Sequence, residues 1–161
     1  MLYAYGWCVI RSSRSVYVGA TLDEKIEQID DRVDAADKLI IAELESWLTE
    51  LGDVYDFQWS LKAQAWSEAK VLLYTASRNH RPSHLWDFHD WVIQNAPGSY
   101  GLTYVHDDED VGETDTNTYR SRTTDYSNMF RVFRIANGRI NELDDPFLSP
   151  IVPTIDPSEL A

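Results

Sequence analysis

Between Thr21 and Gly52 apolar residues recur at intervals of three or four, at Leu22, Ile26, Ile29, Val33, Ala36, Ile40, Leu44, Trp47 and Leu51. That period places them on one face of an α-helix, and so long a stripe has to be covered by another layer of the fold. Thr21 and Glu24 have capping-box spacing, in which each side chain satisfies the other residue's orphan backbone N–H, and Gly52 supplies the stop. Thirty continuous helical residues would span about 45 Å, more than the width expected of a chain this size. A bend between Asp30 and Asp37 is therefore expected, dividing the segment into two helical pieces.

The flanking segments have a different period. Tyr3 to Arg11 is aromatic and β-branched and reads as a strand, followed by a serine-rich turn at Ser12 to Ser15. Val54 to Leu61, with Tyr55, Phe57 and Trp59 alternating with polar partners, and Ala65 to Ala76 read as two strands paired in a hairpin. Arg81-Pro82-Ser83 starts a second helix, with Leu85, Phe88, Val92 and Ala96 on one face, and Pro97-Gly98 ends it. Tyr100 to Val105 is a strand, Asp107 to Asp125 a polar insertion, and Met129 to Ile135 a strand closed by Asn137-Gly138 onto Arg139 to Leu143. Asn-Gly between alternating runs is a strong hairpin signal because both residues tolerate positive φ.

The order predicts an α+β fold: a mostly antiparallel sheet with two main helices packed on one face. Its first six elements match the split βαβ pattern of ferredoxin-like folds, extended here by a C-terminal hairpin. That core supports many unrelated activities and decides nothing about function. One domain is expected over residues 1–161, with an extended proline-rich tail at 144–161 that carries four of the six prolines. Phe147, Leu148, Ile151, Val152 and Ile155 are expected to pin that tail to the domain through apolar contact.

Charge excludes one large class of partners. With 14 Lys and Arg against 27 Asp and Glu, the net charge of −13 opposes phosphate, so no nucleic-acid role is expected. The negative surface suits steering of a basic partner. The single cysteine, Cys8, excludes an internal disulfide and sits in an apolar run where it reads as a small buried hydrophobe. No basic leader and no apolar run of spanning length is present, so no membrane association is expected and the cytoplasm is the expected compartment.

His80, His84 and His89 fall within ten residues, with Asp87 and Asp90 nearby. Pro82 starts rather than continues a helix, so His80 and His84 need not share a face, and no metal site is assigned. His106 ends a strand beside Asp107, where a histidine paired with carboxylates is expected. Asp107, Asp108, Glu109, Asp110, Glu113 and Asp115 put six acids within nine residues, but their register does not suit a calcium loop, because Gly112 falls at the wrong position. No phosphate-binding loop, nucleophile elbow or convergent carboxylate pair is present, so no catalytic residue and no cofactor is assigned. Trp86 and Trp91 fall off the Leu85, Phe88, Val92 stripe, which admits two readings: an outward-facing tryptophan that serves as an interface anchor, or a wide apolar helix sandwiched deeply in the fold.

The run from Ala96 to Asp110, APGSYGLTYVHDDED, together with Asp145 to Ile155, DPFLSPIVPTI, resembles the immunity protein 7 family of bacterial polymorphic toxin systems. Tyr5-Gly6-Trp7 and Asn79-His80-Arg81 are similar to that family as well. The stretch Val111 to Asp125 departs from it, being longer and more polar. The resemblance implies a small cytoplasmic protein encoded beside a toxin and binding the toxin's C-terminal domain, and it transfers no catalytic residue.

The resulting expectation is stoichiometric inhibition of a cognate toxin domain by a chain that is monomeric when free. The candidate contact residues are Asp107, Asp108, Glu109, Asp110, Glu113, Asp115, Trp86 and Trp91. Two rivals stand beside it. One is a hydrolase that reverses a toxin's covalent modification, and the other is a structural adaptor with no toxin partner.

Overall fold

The computed structural model describes residues 1–12, 22–52, 56–65, 67–78, 83–110 and 125–152. The chain runs β1 (Leu2–Ile10), α1 (Leu22–Leu51), β2 (Gln58–Gln64), β3 (Ser67–Arg78), α2 (Ser83–Asn95), β4 (Tyr100–Asp107), β5 (Arg131–Ala136) and β6 (Arg139–Asp144). The six strands form one sheet in the order β2-β3-β1-β4-β5-β6, with every neighbouring pair antiparallel. The first four strands follow the ferredoxin-like order, and the β5–β6 hairpin extends the sheet beyond β4, as the element pattern predicts.

The hairpin turn is built by Asn137 and Gly138, whose φ values of 55° and 66° match a two-residue turn with the right-handed twist of its strands. Gly52, at φ 71°, ends α1 in the left-handed region that an L side chain resists.

The expected division of α1 into two helical pieces does not occur. The helix is continuous from Leu22 to Leu51. It contains neither proline nor glycine, the usual causes of a sharp kink, so nothing local interrupts it.

Both helices cover one face of the sheet. Ile40, Ile41, Leu44 and Leu48 of α1 and Leu85, Phe88 and Val92 of α2 join a core with Ala4, Cys8, Leu72, Tyr74, Phe133 and Ile135 from the strands. Cys8 is fully buried, and burial raises its thiol well above the ordinary range, in keeping with a packing residue. At the middle of β1 the helix-facing residues are small, namely Ala4, Gly6 and Cys8, between the larger Leu2 and Ile10, and this lets Tyr74 of β3 lie across the strand. A Cβ at Gly6 would fall 2.3 Å from the Tyr74 ring. The tyrosine hydroxyl thereby reaches Thr103 Oγ1 on β4 at 2.6 Å, and His89 Nε2 of α2 meets the same oxygen at 2.8 Å. This chain of three polar side chains spans β3, β4 and α2 through the centre of the core. Burial holds the His89 imidazole neutral, with its pKa pushed down to about 3.

One end of the sheet is tied by Asp37, a buried carboxylate of α1. It accepts hydrogen bonds from Ser12 N (2.8 Å) and Ser12 Oγ (2.9 Å) and pairs with Arg11 Nε at 3.3 Å. These bonds fix the chain as it leaves β1.

The tail is attached differently from the expectation. Asp145 accepts from Phe147 N, Leu148 N and Ser149 Oγ, while Asn128 holds Val152 through both its amide atoms and Ser149 Oγ accepts from Phe130 N. Phe147 remains 81% exposed, and Leu148 and Val152 are also exposed, so polar bonds rather than apolar burial anchor residues 145–152. Ile155 lies outside the described residues.

Candidate protein-binding surface

The acidic run sits where β4 ends. Asp107 closes the strand and its Oδ1 accepts from Glu109 N at 3.2 Å, while Asp110 N donates to the Asp107 carbonyl at 3.1 Å. Asp108 pairs with the Met1 ammonium, and Glu109 lies 4.0 Å from the same group, with both carboxylates well exposed. Asp110 turns inward. It is buried and ion-paired with the buried Arg131, whose Nε is 3.3 Å from Glu142 Oε1 and whose guanidinium lies over the rings of Tyr126 and Phe133, each at 5.7 Å. Tyr126 N donates to the Asp110 carbonyl at 2.8 Å, which fastens the returning chain to the same corner.

The run is therefore not uniformly solvated. Asp110 is part of a buried ion-pair cluster that joins the β4 end to β5 and β6, because a buried guanidinium needs carboxylates around it. Asp108 and Glu109 are its exposed members. Glu113 and Asp115 lie outside the described residues.

The two tryptophans of α2 are packed rather than outward-facing. Trp91 stacks on Trp47 of α1, with ring centroids 6.1 Å apart, and so joins the two helices. Trp86 sets its ring edge-to-face with His89 at 5.6 Å and Phe133 at 5.4 Å. Both are half-buried against the core, because α2 carries apolar contact over a wider arc than the Leu85, Phe88, Val92 stripe alone.

Among the histidines, His84 Nδ1 donates to Asp56 at 2.6 Å beside Arg78, and His89 is buried in the core network. His106 Nε2 donates to the Ser127 carbonyl at 2.8 Å and packs on Phe130, so its partner is a backbone oxygen rather than the expected carboxylate. His80 lies outside the described residues. Among the described residues no three His, Cys, Asp or Glu side chains gather as a metal site.

Among the described residues no helix covers the opposite face of the sheet. Its side chains follow from the register as rows across the strands: Lys62, Val71, Val9, Tyr100, Ala136 and Arg139 form one, and Ser60, Leu73, Trp7, Leu102, Arg134 and Asn141 the next. A third row runs Gln58, Thr75, Tyr5, Tyr104, Val132 and Leu143, and Tyr3 lies beside His106 in a fourth. Tyr5 is 52% exposed and Trp7 38%, with Tyr3, Leu73, Tyr100 and Leu143 also exposed. Antiparallel sheets with one bare face ordinarily make it polar, and this one is aromatic.

Sequence reasoning did not find this surface. Its signal is the alternation in Tyr3-Ala4-Tyr5-Gly6-Trp7-Cys8, where bulk goes to one side and small residues to the other. Apolarity on both sides concealed which side the helices would cover.

Comparison with family models gives a match to immunity protein 7 over residues 1–157. The chain belongs to the immunity protein 7 family. The match takes in every element of the sheet and both helices. No curated protein and no solved structure gives a match. Among the described residues no helix is long and apolar enough to cross a membrane.

Proposed function

We propose that this chain is a non-enzymatic immunity protein that binds and neutralises a cognate toxin domain by stoichiometric occlusion. The observation that carries the reading is membership of the immunity protein 7 family over nearly the whole chain. Occlusion asks only for a stable, complementary surface, and a sheet with an uncovered aromatic face and a charged corner supports that reading. The exposed carboxylates of Asp108 and Glu109, with the net charge of −13, add long-range attraction for a basic partner and speed encounter more than they tighten the bound state.

Titration of the toxin domain encoded beside this protein tests the reading. Occlusion predicts that toxin activity falls linearly and reaches its floor at one equivalent. Full protection at a few hundredths of an equivalent, growing with time, would instead identify an enzyme that reverses the toxin's modification. No complex and no change in toxin activity at any ratio would leave the adaptor role.

A further inference from the structure

We infer that the helix-free face of the sheet is the surface that docks the toxin domain; this deepens the neutralisation reading and rests on it. The face combines the residue types that dominate binding hot spots. Tyr5, Trp7 and Tyr100 stand exposed at its centre, with the Trp7 and Tyr100 rings edge-to-face at 6.3 Å, and Arg134 lies one strand beyond Leu102. A shallow apolar depression of about 420 Å³ lies between Tyr5, Gln58, Ser60 and Leu73, able to take a side chain of the partner.

The extent fits. Five inter-strand gaps of about 4.8 Å and a strand length of about 27 Å give a face on the order of 600 Å². A standard protein complex buries about 800 Å² on each partner. Phe130 packs over Tyr104 and His106, and Val9 and Val132 are buried, so the exposed part of the face is the patch around Tyr3, Tyr5, Trp7, Leu73 and Tyr100. A contiguous exposed apolar patch marks an interaction site.

Charge selects the partner. Among the described residues no strand position pointing away from the helices is acidic, although the chain has 27 Asp and Glu. Lys62, Arg134 and Arg139 lie toward the Val9–Tyr100 end, where a cleft of about 540 Å³ opens between Tyr100, Arg134 and Asn137. Asp108 and Glu109 lie at the other end, beyond Asp107 and beside Met1. The complementary surface has an apolar centre, carboxylates at one end and cations at the other. A second copy of this chain is disfavoured as occupant, because it would bring −13 against −13.

The test is affinity of full-length variants for an inactive form of the toxin domain encoded beside this protein, with unfolding midpoints measured in parallel. Trp7→Ala and Tyr5→Ala are expected to weaken binding at least 30-fold in combination, and Arg134→Glu about tenfold, since each removes an anchor or reverses a charge. Leu39→Ala, on an exposed position of α1, is expected to leave affinity within threefold. Binding that survives the Tyr5 and Trp7 changes in a folded variant overturns the assignment of this face. So does a wild-type dimer in sedimentation that those changes dissociate, which would make a second copy the occupant. Failure of the wild-type chain to bind the toxin domain overturns the neutralisation reading and this inference with it.

Discussion

The two faces of the sheet are made by the same strands and are almost equally apolar, yet they serve opposite ends. On the helix side the middle of β1 presents Ala4, Gly6 and Cys8, and the bulk comes from Tyr74 of the neighbouring strand β3 and from Phe88 and Leu44 of the helices. On the bare side β1 presents Tyr3, Tyr5 and Trp7, all partly exposed. Small residues let helices and a crossing tyrosine approach closely, whereas large aromatic rings on an uncovered sheet leave area that water must solvate. Hydrophobicity alone does not separate core from contact surface. What separates them is whether the fold itself supplies a covering layer.

The sharpest way to break this comparison is to truncate one large residue on each side. Phe88→Ala, at a fully buried site, is expected to cost about 4 kcal/mol in denaturant unfolding. A loss below about 1 kcal/mol would mean that the helix side is not the core. At the acidic corner, Asp110→Ala is expected to cost about 3 kcal/mol, because Arg131 stays buried with one carboxylate fewer. The same change at the exposed Asp108 is expected to cost far less. Equal losses at the two positions would contradict the division of the run into a buried and an exposed part.

Two further effects are expected near 2 kcal/mol. Gly6→Ala must displace the Tyr74 ring and strain its bond to Thr103, with a loss of about 2 kcal/mol. An unaltered midpoint would show that Tyr74 yields without cost. Acid is expected to act through His89, whose folded pKa of about 3 lies below the ordinary 6.5. The unfolded chain therefore binds the extra proton, so this contribution is fully present above about pH 6.5 and is lost as pH falls toward 3. Between pH 7 and pH 5 the loss amounts to about 2 kcal/mol. Unfolding curves of the wild type and His89→Gln across that range check it, and parallel pH slopes would exclude His89 as the source. The smallest effect is expected on the bare face, where Tyr5→Ala alone should change stability by less than about 1 kcal/mol.

Element order was legible because period changes mark it: three- and four-residue spacing in the helices, alternation in the strands, and Asn137-Gly138 at the last turn. The strand order followed from that pattern and the preference for short connections. The continuity of α1 was misjudged because a width argument stood in for a local cause. The buried fate of Asp110 was hidden because its partner Arg131 lies 21 residues away, beyond any local spacing rule. Asp37, an acid inside a long polar-faced helix, gave no sign that it would fasten Ser12 and Arg11. The packing of Trp86 and Trp91 depended on α1 and β5 reaching them, which helix periodicity does not report.

The crossing of Tyr74 over Gly6 also bears on how such a surface could be rewritten. Along β1 the positions that look outward and those that hold the crossing alternate one by one, and neither set touches the other through side chains on the same face. New lettering at positions 3, 5 and 7 would leave Ala4, Gly6 and Cys8 untouched beneath it. The strand behaves as a keyboard with a fixed frame, on which a change of partner is written with three keys while the tyrosine behind them keeps the frame in tune.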